Sequence, residues 1–223
     1  LIVPDTVLLD EEFNNNGYQP ANYSGDEYGL VSAKHALSNS YNLSTLRLWS
    51  EVRNHDPYQY LDAMNMNVPE QLVGITSLPL GPLDTSVESN VDAFSTFGNQ
   101  GEMNESYMIE KITSPTGEVV YEHQGDPTRV FKESTSFLMA DMLKESFVSG
   151  SVYHIKDYYE AVSDVYDWSA KTGTSEQFVD SWMIGFNPKV TLGIWMGYDR
   201  NIPQVYDTDA ETHPHIYNWR NMA

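Results

Sequence analysis

Apolar residues recur at helical spacing in the first quarter of the chain. Residues 33–37 follow Ser32, whose side chain is a suitable helix N-cap, and residues 43–53 resume the helical spacing. The segment SNSYN, residues 38–42, is therefore predicted to lie in a break between two helices. Such a break exposes side chains.

Two further helices are predicted downstream. Residues 85–101 indicate a helix that opens near Thr85 or Ser86, closes around Gly98, and carries Val87, Val91 and Phe94 on one face. A second apolar set recurs at helical intervals before a closing Gly150, and it comprises Phe137, Ala140, Leu143 and Phe147.

Alternating apolar positions predict strands in two places. Residues 107–123 have the pattern of two strands around a turn at 115–117. Three more short strands joined by tight turns are predicted near the C-terminal end, SAKTGTS (169–175), DSWMIGF (180–186) and VTLGIWMGYD (190–199). Such strands imply an antiparallel sheet, so the predicted fold is α/β of the α+β type, with helices covering the sheet. Residues 13–25, rich in Asn, Gly and Pro, predict a surface loop.

The composition narrows the range of partners. The chain has 223 residues, of which 40% are hydrophobic, so it can bury a substantial core. The chain has 12 basic and 32 acidic residues, which gives a net charge of −20. This charge repels polyanions and argues against nucleic acid as a partner. The absence of cysteine excludes disulfides and thiolate metal sites, and it is consistent with an oxidising or extracellular compartment.

No apolar run approaches the roughly 18 residues of a membrane span. The first residues, LIVPDTVLLDEEF, lack the basic start and long apolar run of a signal peptide. Any membrane anchor or export signal is therefore expected outside this chain. The acidic run at 10–12 is interpreted as a solvated turn.

A small polar cluster, Lys171-Thr172-Gly173-Thr174-Ser175, opens the first of the three C-terminal strands. A phosphate-binding loop would need glycine where this chain has Ala170 and Val165, and no serine has glycine at both −2 and +2, as a hydrolase elbow requires. Both of these interpretations fail.

The remaining interpretation pairs K-T-G with an upstream S-x-N, here Ser40-Tyr41-Asn42. Glycine at 173 would let a ligand backbone lie close to the strand, and an open strand edge can pair with an extended peptide. The threonine hydroxyls and the charge of Lys171 suit a ligand carboxylate. S-x-N alone carries little information, and a helix cap in a loop is the alternative for Ser40 and Asn42.

The wider sequence strengthens this interpretation. In chain order, seven stretches resemble the transpeptidase domain of class A (bifunctional) penicillin-binding proteins, namely PANYSG (20–25), KHALSNSYNLSTLRL (34–48), FSTFGNQG (94–101), ESYMIEKITSPTGEVVYE (105–122), SAKTGTSEQFVDSWMIGF (169–186), LGIWMGYD (192–199) and HIYNWRNMA (215–223). The resemblance covers nearly the whole chain. It implies a penicillin-binding-protein/β-lactamase-like fold and a serine acyltransferase that cross-links peptidoglycan stem peptides.

The resemblance also implies roles for individual residues. Ser40 would help move a proton to the leaving amine, Asn42 would bind the substrate's peptide group, and Lys171 would contact Ser40 and set the charge of the cleft. Thr172 and Thr174 would hold the carboxylate of a D-alanyl-D-alanine stem peptide or of a β-lactam, and the Thr174 N–H would form half of an oxyanion hole.

Other residues of the same stretch receive smaller roles. Gly173 and Ser175 complete the predicted substrate-binding strand, while Asp180 and Trp182 match family positions that we interpret as structural support. No metal or organic cofactor is implied. His213 and His215 flank Pro214 near acidic residues, but their spacing matches no common ligand set. Tyrosines that could line the cleft are better explained by packing, and these are Tyr153, Tyr158, Tyr159 and Tyr166.

One family motif is missing. The nucleophile of the family is the serine of an S-x-x-K motif, and no serine of this chain has a lysine three positions later. We expect residues 1–223 to be the C-terminal part of the domain, inactive alone, with the nucleophile helix and the N-terminal strands of the sheet lying before Leu1. A natural pseudoenzyme is the alternative, and the intact K-T-G-T-S argues against it. Because bare sheet faces are unfavourable, we expect the chain to associate with a complementary N-terminal segment of the same protein.

The resemblance places the protein at the extracytoplasmic face of the bacterial cell membrane, attached only through an anchor outside this chain. Two rival functions stay open. A D,D-carboxypeptidase or β-lactamase would use water in place of the acceptor amine, and a non-catalytic module would bind peptidoglycan or β-lactams without acylation.

Overall fold

The computed structural model describes residues 2–157, 160, 167–204 and 214–223. Tyr158, Tyr159, Tyr166 and His213 lie outside the described residues, whereas Tyr153 is 51% exposed. The helices of the described part are α1 (Ala33–Ser38), α2 (Asn42–Val52), α3 (Tyr58–Ala63), α4 (Val87–Gly98), α5 (Glu133–Val148) and α6 (Pro214–Met222). Short 3-10 turns lie at Arg53–His55, Glu70–Leu72, Leu78–Leu80, Tyr153–Ile155 and Glu176–Phe178.

The strands pair antiparallel throughout the described residues. They are β1 (Val7–Asp10), β2 (Gly29–Ser32), β3 (Glu102–Met103), β4 (Lys111–Thr113), β5 (Val119–Glu122), β6 (Thr128–Arg129), β7 (Ser169–Thr174), β8 (Ser181–Phe186) and β9 (Thr191–Met196). β7, β8 and β9 form the central sheet in that order, and the pairs β1–β2, β3–β6 and β4–β5 form three small sheets. The central sheet and the β4–β5 hairpin are predicted by the sequence, whereas β1, β2, β3 and β6 are not.

Helices cover both faces of the central sheet. Side chains alternate along a strand, so Lys171 shares one face with Ser169, whose hydroxyl donates to the carbonyl of Ala140 on α5 at 2.8 Å. α4 packs on this same face, and α1 packs against α5. α6 covers the opposite face, where the Trp219 indole donates to the Leu192 carbonyl at 3.0 Å. Lys171 therefore faces the side of the sheet that carries α1.

The main core lies between the sheet and α6. Its buried residues are Phe147, Val152, Ile155, Trp168, Ala170, Met183, Ile216 and Trp219. The rings of Trp168 and Trp219 meet edge to face at 5.0 Å, a favoured geometry for aromatic pairs. A smaller cluster of Phe13, Leu43 and Leu46 lies under α2. Because Ala170 is buried and Thr174 is exposed, β7 begins in the core and ends at the surface.

The predicted helix boundaries are largely confirmed. The His35 N–H donates to the Ser32 hydroxyl at 3.2 Å at the start of α1, and the Ser89 N–H donates to the Ser86 hydroxyl at 3.0 Å at the start of α4. α5 ends at Val148, just before Gly150. Of its predicted apolar set, Leu143 and Phe147 are buried, whereas Phe137 is 67% exposed. Among the described helices, none has the length and apolar character needed to cross a membrane.

Candidate active site

Lys171 and Ser40 meet, although 131 positions separate them in the chain. The Lys171 ammonium donates to the Ser40 hydroxyl and, at 2.7 Å, to the carbonyl of Thr172. β7 supplies the lysine and the junction of α1 and α2 supplies the serine. The packing of α1 on α5 and of α5 on β7 brings these two elements together. We call the cleft between them the Lys171–Ser40 cleft.

Ser40 occupies a left-handed backbone conformation, with φ of 57°. The Ser40 N–H donates to the Leu37 carbonyl at 3.2 Å, and the Tyr41 N–H donates to the Ala36 carbonyl at 2.9 Å. These two bonds make a Schellman ending for α1, in which the left-handed residue is usually glycine. A serine at this position carries backbone strain that a glycine would avoid, and strain of this kind concentrates at functional sites.

Asn42 is the first residue of α2, one position earlier than the predicted helix start. Its side-chain amide donates to the Ala21 carbonyl at 2.8 Å, and its backbone N–H donates to the Asn22 side-chain oxygen at 2.8 Å. The loop at 20–25 therefore holds Asn42 from both its main chain and its side chain. Among the described residues, no hydrogen-bond donor contacts the Asn42 side-chain oxygen, so this oxygen can accept a bond from a ligand.

Asp10, which is remote in sequence from α2, caps the N-terminus of this helix. This finding corrects the interpretation of residues 10–12 as a solvated turn. It is 0% exposed, accepts from the Asn22 amide at 2.5 Å and accepts from the Ser44 N–H at 3.0 Å. Burial is possible because strand β1 carries Asp10 beneath α2, where unpaired helix N–H groups need acceptors. Glu11 and Glu12 are exposed, so the prediction is right for them.

The sequence contains a signal for this external cap. The residue before α2 is Tyr41, which makes no side-chain capping bond, whereas α1 and α4 are each preceded by a serine that does. A helix without a local cap needs acceptors from elsewhere. Asp10 directly follows an apolar run and Asn22 lies in the loop of irregular composition, so neither position could be paired with α2 from spacing alone.

One edge of β7 is open in the described part of the chain, since β7 pairs there only with β8. The Ser175 N–H donates toward β8, to the Asp180 carbonyl at 3.1 Å. Backbone groups alternate in an antiparallel pair, so the N–H groups of Thr172 and Thr174 point to the open edge. These donors and the Lys171 charge can bind an extended peptide that carries an anionic group, and the carboxylate contact expected of the Thr172 and Thr174 hydroxyls stays a prediction.

Gly173 leaves space beside this edge. A Cβ atom at 173 would meet only the Trp182 Cβ, at 3.5 Å, an ordinary van der Waals distance. Gly185 on β8 differs, because a Cβ there would lie 2.1 Å from the Trp219 ring. Packing inside the protein therefore explains the glycine at 185 but not the glycine at 173.

Ser175 and Asp180 fasten the end of β7 to the start of β8. The Ser175 hydroxyl donates to the Asp180 carboxylate at 2.9 Å, and the Asp180 N–H donates back to that hydroxyl at 2.8 Å. The Trp195 indole donates to the other carboxylate oxygen at 3.0 Å, and the rings of Trp182 and Trp195 lie 6.5 Å apart. These contacts are structural, and the predicted ligand contact of Ser175 stays a prediction.

Burial lowers the pKa of Lys171 to about 8, because removal from water disfavours the charged ammonium. The amine therefore changes protonation close to physiological pH while it touches the Ser40 hydroxyl. This combination suits a group that transfers protons or binds an anion near neutral pH.

Two aromatic residues join the walls of the cleft. Tyr23, in the loop at 20–25, is 87% exposed, and its ring lies 6.4 Å from that of Phe178 between β7 and β8. In the described ranges, no three His, Asp or Glu side chains cluster as metal ligands would. His213, weighed above as a ligand, falls in the gap at 205–213.

Comparisons with known proteins agree with this architecture. The sequence model of the penicillin binding protein transpeptidase domain matches residues 1–204. Penicillin-binding protein 1F of Bacillus subtilis is 29% identical over 213 residues, which are 95% of this chain and 29% of that protein. Penicillin-binding protein 1A of Aquifex aeolicus is 28% identical over 81% of this chain and 24% of its own length. The chain thus spans less than a third of these relatives.

Solved structures show the same fold. The PonA1 protein of Mycobacterium tuberculosis in complex with penicillin V superposes with a TM-score of 0.81 at 19% identity, over 99% of this chain and 63% of that one. Penicillin-binding protein 1A of Haemophilus influenzae gives a TM-score of 0.79 at 19% identity, over 90% of this chain and 35% of that one. The family match over residues 1–204 confirms the resemblance seen in the sequence: this chain belongs to the penicillin-binding protein transpeptidase domain family.

Proposed function

We propose that residues 1–223 are the C-terminal part of a D,D-transpeptidase domain that cross-links peptidoglycan stem peptides at the extracytoplasmic face of the bacterial cell membrane. The observation that carries the proposal is the contact between the Lys171 amine and the Ser40 hydroxyl beside the open edge of β7. The S-x-N motif, which carries little information alone, and the more specific K-T-G-T-S motif converge in one cleft.

The reaction passes through an acyl-enzyme. A serine oxygen attacks the carbonyl between the two terminal D-alanines, the terminal D-alanine leaves as a protonated amine, and a serine ester remains. The amine of a second stem peptide then attacks the ester, which forms the cross-link and returns the proton to the serine. Ser40 and Lys171 are in direct contact, so they can pass a proton to the leaving amine and accept one from the incoming amine.

The open edge of β7 would hold the substrate. The stem peptide adds as an extended strand, the Thr174 N–H stabilises the tetrahedral oxyanion, and the Thr172 and Thr174 hydroxyls with the Lys171 ammonium bind the terminal carboxylate. Gly173 gives the substrate backbone room. The side-chain oxygen of Asn42 would accept a hydrogen bond from a peptide N–H of the substrate.

We place the acylated serine outside residues 1–223, because no S-x-x-K motif occurs in them. The complementary N-terminal segment that carries it would complete the central sheet. In the described residues β9 pairs only with β8, so its outer edge can accept a further strand, and Val190 next to it is 41% exposed. A cooperative, native-like thermal transition of isolated residues 1–223 would contradict this dependence on a complementary segment.

Covalent labelling of the parent protein with fluorescent penicillin tests the proposal. We expect a labelled serine in an S-x-x-K sequence, identified by mass spectrometry of the labelled peptide, and dimeric product from stem-peptide substrate. Lys171→Met should reduce labelling by at least about 100-fold, a loss of roughly 2.7 kcal/mol of transition-state stabilisation. Lys111→Met, which breaks only an exposed 3.0 Å ion pair with Glu122, is the matched control.

Each alternative gives a different result in these assays. Hydrolysed monomer with no dimer would identify a carboxypeptidase or β-lactamase. Reversible penicillin binding without a covalent label would identify a binding module. Either result would overturn the proposed transpeptidase.

A further inference from the structure

The helix that begins with Asn42 has no cap of its own. Tyr41 precedes α2 without a side-chain capping bond, so the first N–H groups of the helix depend on residues from other elements. The Asn22 side-chain oxygen accepts from the N–H groups of Asn42 at 2.8 Å and Leu43 at 3.3 Å. The Asp10 carboxylate accepts from the N–H of Ser44 at 3.0 Å.

Asp10 and Asn22 form one buried unit. The Asn22 amide donates to the Asp10 carboxylate at 2.5 Å and to the Asp26 carbonyl at 2.9 Å, which fixes the orientation of the amide. Asp10 is 0% exposed and Asn22 is 6% exposed. The Tyr28 N–H adds a further bond to the same carboxylate, at 3.3 Å. A carboxylate at a helix N-terminus is also favoured by the helix dipole.

This unit bears directly on the Lys171–Ser40 cleft. The peptide group that leads into Asn42 is held by Asn22, and the Asn42 side chain is held by the neighbouring Ala21 carbonyl at 2.8 Å. Ser40 lies two residues earlier, in its left-handed bend. A shift of the start of α2 therefore moves Asn42 and Ser40 together, and displacements of about 1 Å can slow catalysis by about 100-fold.

We propose that Asp10 and Asn22 are positioning residues that hold Asn42 and the left-handed bend at Ser40 in the positions that the reaction requires. This proposal rests on the function proposed above. Neither residue touches the substrate in it. Asp10 fixes the Asn22 amide, Asn22 fixes the first peptide groups of α2, and the helix start fixes the two side chains that face the ligand.

The test is the kinetics of covalent labelling by fluorescent penicillin in the parent protein, with the variants Asp10→Asn and Asn22→Ala. Two quantities are separated, the amplitude of labelling, which counts folded molecules, and the rate constant at saturating penicillin, which reports the geometry of those molecules. We expect at least tenfold lower rate constants with amplitudes close to that of the unmodified protein.

Asp92→Asn is the matched control. Asp92 is also a buried carboxylate, 9% exposed, that accepts from the Ser106 N–H at 3.0 Å and hydroxyl at 2.9 Å, but it fastens a loop to α4. We expect this variant to lower the melting temperature and leave the rate constant unchanged. Variants of Asp10 and Asn22 that lower only the amplitude, or lower the rate no more than Asp92→Asn, would overturn the proposal.

Three further outcomes are decisive. If Asp10→Asn does not fold, the question is decided by Asn22→Ala alone. Its rate constant is then compared with that of Asp92→Asn, with both variants measured equally far below their melting temperatures. If the unmodified protein is not labelled at all, the proposed function fails. Labelling of the unmodified protein at the same rate constant as both variants rejects only the positioning role.

Discussion

The two walls of the Lys171–Ser40 cleft are built by different means. The β7 wall is a regular strand, held by a continuous ladder to β8 and fastened at its end by Ser175 and Asp180. The α1–α2 wall contains a strained residue, Ser40, and a helix whose start is capped by Asp10 and Asn22 from elsewhere in the fold. The position of the strand wall thus depends on the next strand in the sequence, whereas the position of the helix wall depends on residues remote from it in the sequence.

This difference predicts how each wall fails. Substitutions behind the helix wall should lower the stability of the fold and also displace the side chains of the cleft, because buried polar groups lose their hydrogen-bond partners. Substitutions on the open edge of the strand wall should leave the stability of the fold unchanged and weaken only the binding of the ligand.

Asp10→Ala should have the largest effect on stability. Loss of the carboxylate removes one of the two acceptors of the Asn22 amide and leaves the buried Ser44 N–H without its acceptor, so we expect a loss of about 3 kcal/mol in the free energy of unfolding. Urea unfolding of the parent protein measures it. The exposed neighbour Glu11 supplies the control, since Glu11→Ala should change stability by less than about 0.5 kcal/mol. Equal effects of the two substitutions would refute the external cap.

Gly173→Ala tests the strand wall. Because the new methyl group meets only the Trp182 Cβ at 3.5 Å, we expect no measurable loss of stability. The methyl group should obstruct the ligand backbone and slow penicillin labelling about tenfold, or roughly 1.4 kcal/mol. Gly185→Ala, which drives a methyl group into Trp219, should instead cost about 1–3 kcal/mol of stability. Unchanged labelling of Gly173→Ala would show that no ligand lies along β7.

The pH dependence of labelling tests the charge at the junction of the walls. With a pKa of about 8, Lys171 loses its proton as the pH rises, so labelling at low penicillin concentration should fall about eightfold between pH 7.5 and 9. Lys171→Arg stays charged and should flatten this profile, whatever its absolute rate. A profile that falls equally in both proteins would assign the titration to another group.

The same pKa has a consequence for stability. The folded-state pKa is lowered from 10.5 to about 8, so the unfolded chain binds more protons at this site between those values. The Lys171 contribution to stability should therefore rise with pH through that window. Below pH 8 both states hold the proton, and the contribution no longer changes.

Ser40→Gly should have the smallest effect and the opposite sign. Glycine adopts the left-handed conformation without strain, so stability should increase by about 0.5 kcal/mol once the entropy of glycine is included. Asp56→Gly, at another left-handed residue with φ of 49°, is the control and should gain a similar amount. A loss of stability in Ser40→Gly alone would indicate that the Lys171 contact outweighs the strain.

Much of the fold could be predicted because it depends on local patterns. Period-2 alternation marks β8 and β9, a turn with proline and glycine marks the β4–β5 hairpin, and Ser86 marks the start of α4. The small sheets could not be predicted. β3 and β6 have two residues each, and β1 and β2 are separated by an irregular segment of 18 residues, so no periodic signal identifies them as partners.

The candidate site divides in the same way. The residues of the strand wall follow from K-T-G, and the structure brings Lys171 to Ser40 as the pairing with S-x-N predicts. The sequence analysis does not identify Asp10 and Asn22, because their role depends on contacts with the start of α2 that form only in the folded chain. An aspartate that ends an apolar run suggests a solvated turn until a helix is known to start above it.

Local patterns and ordered motifs in the sequence are enough to identify the main helices, the central sheet, the Lys171 and Ser40 side chains of the cleft, and the family. The left-handed bend at Ser40, the burial of Asp10 under α2 and the contact of Lys171 with Ser40 are visible only in the folded structure. Backbone strain, burial and hydrogen-bond partners depend on elements that meet only after the chain has folded, so no local pattern in the sequence encodes them.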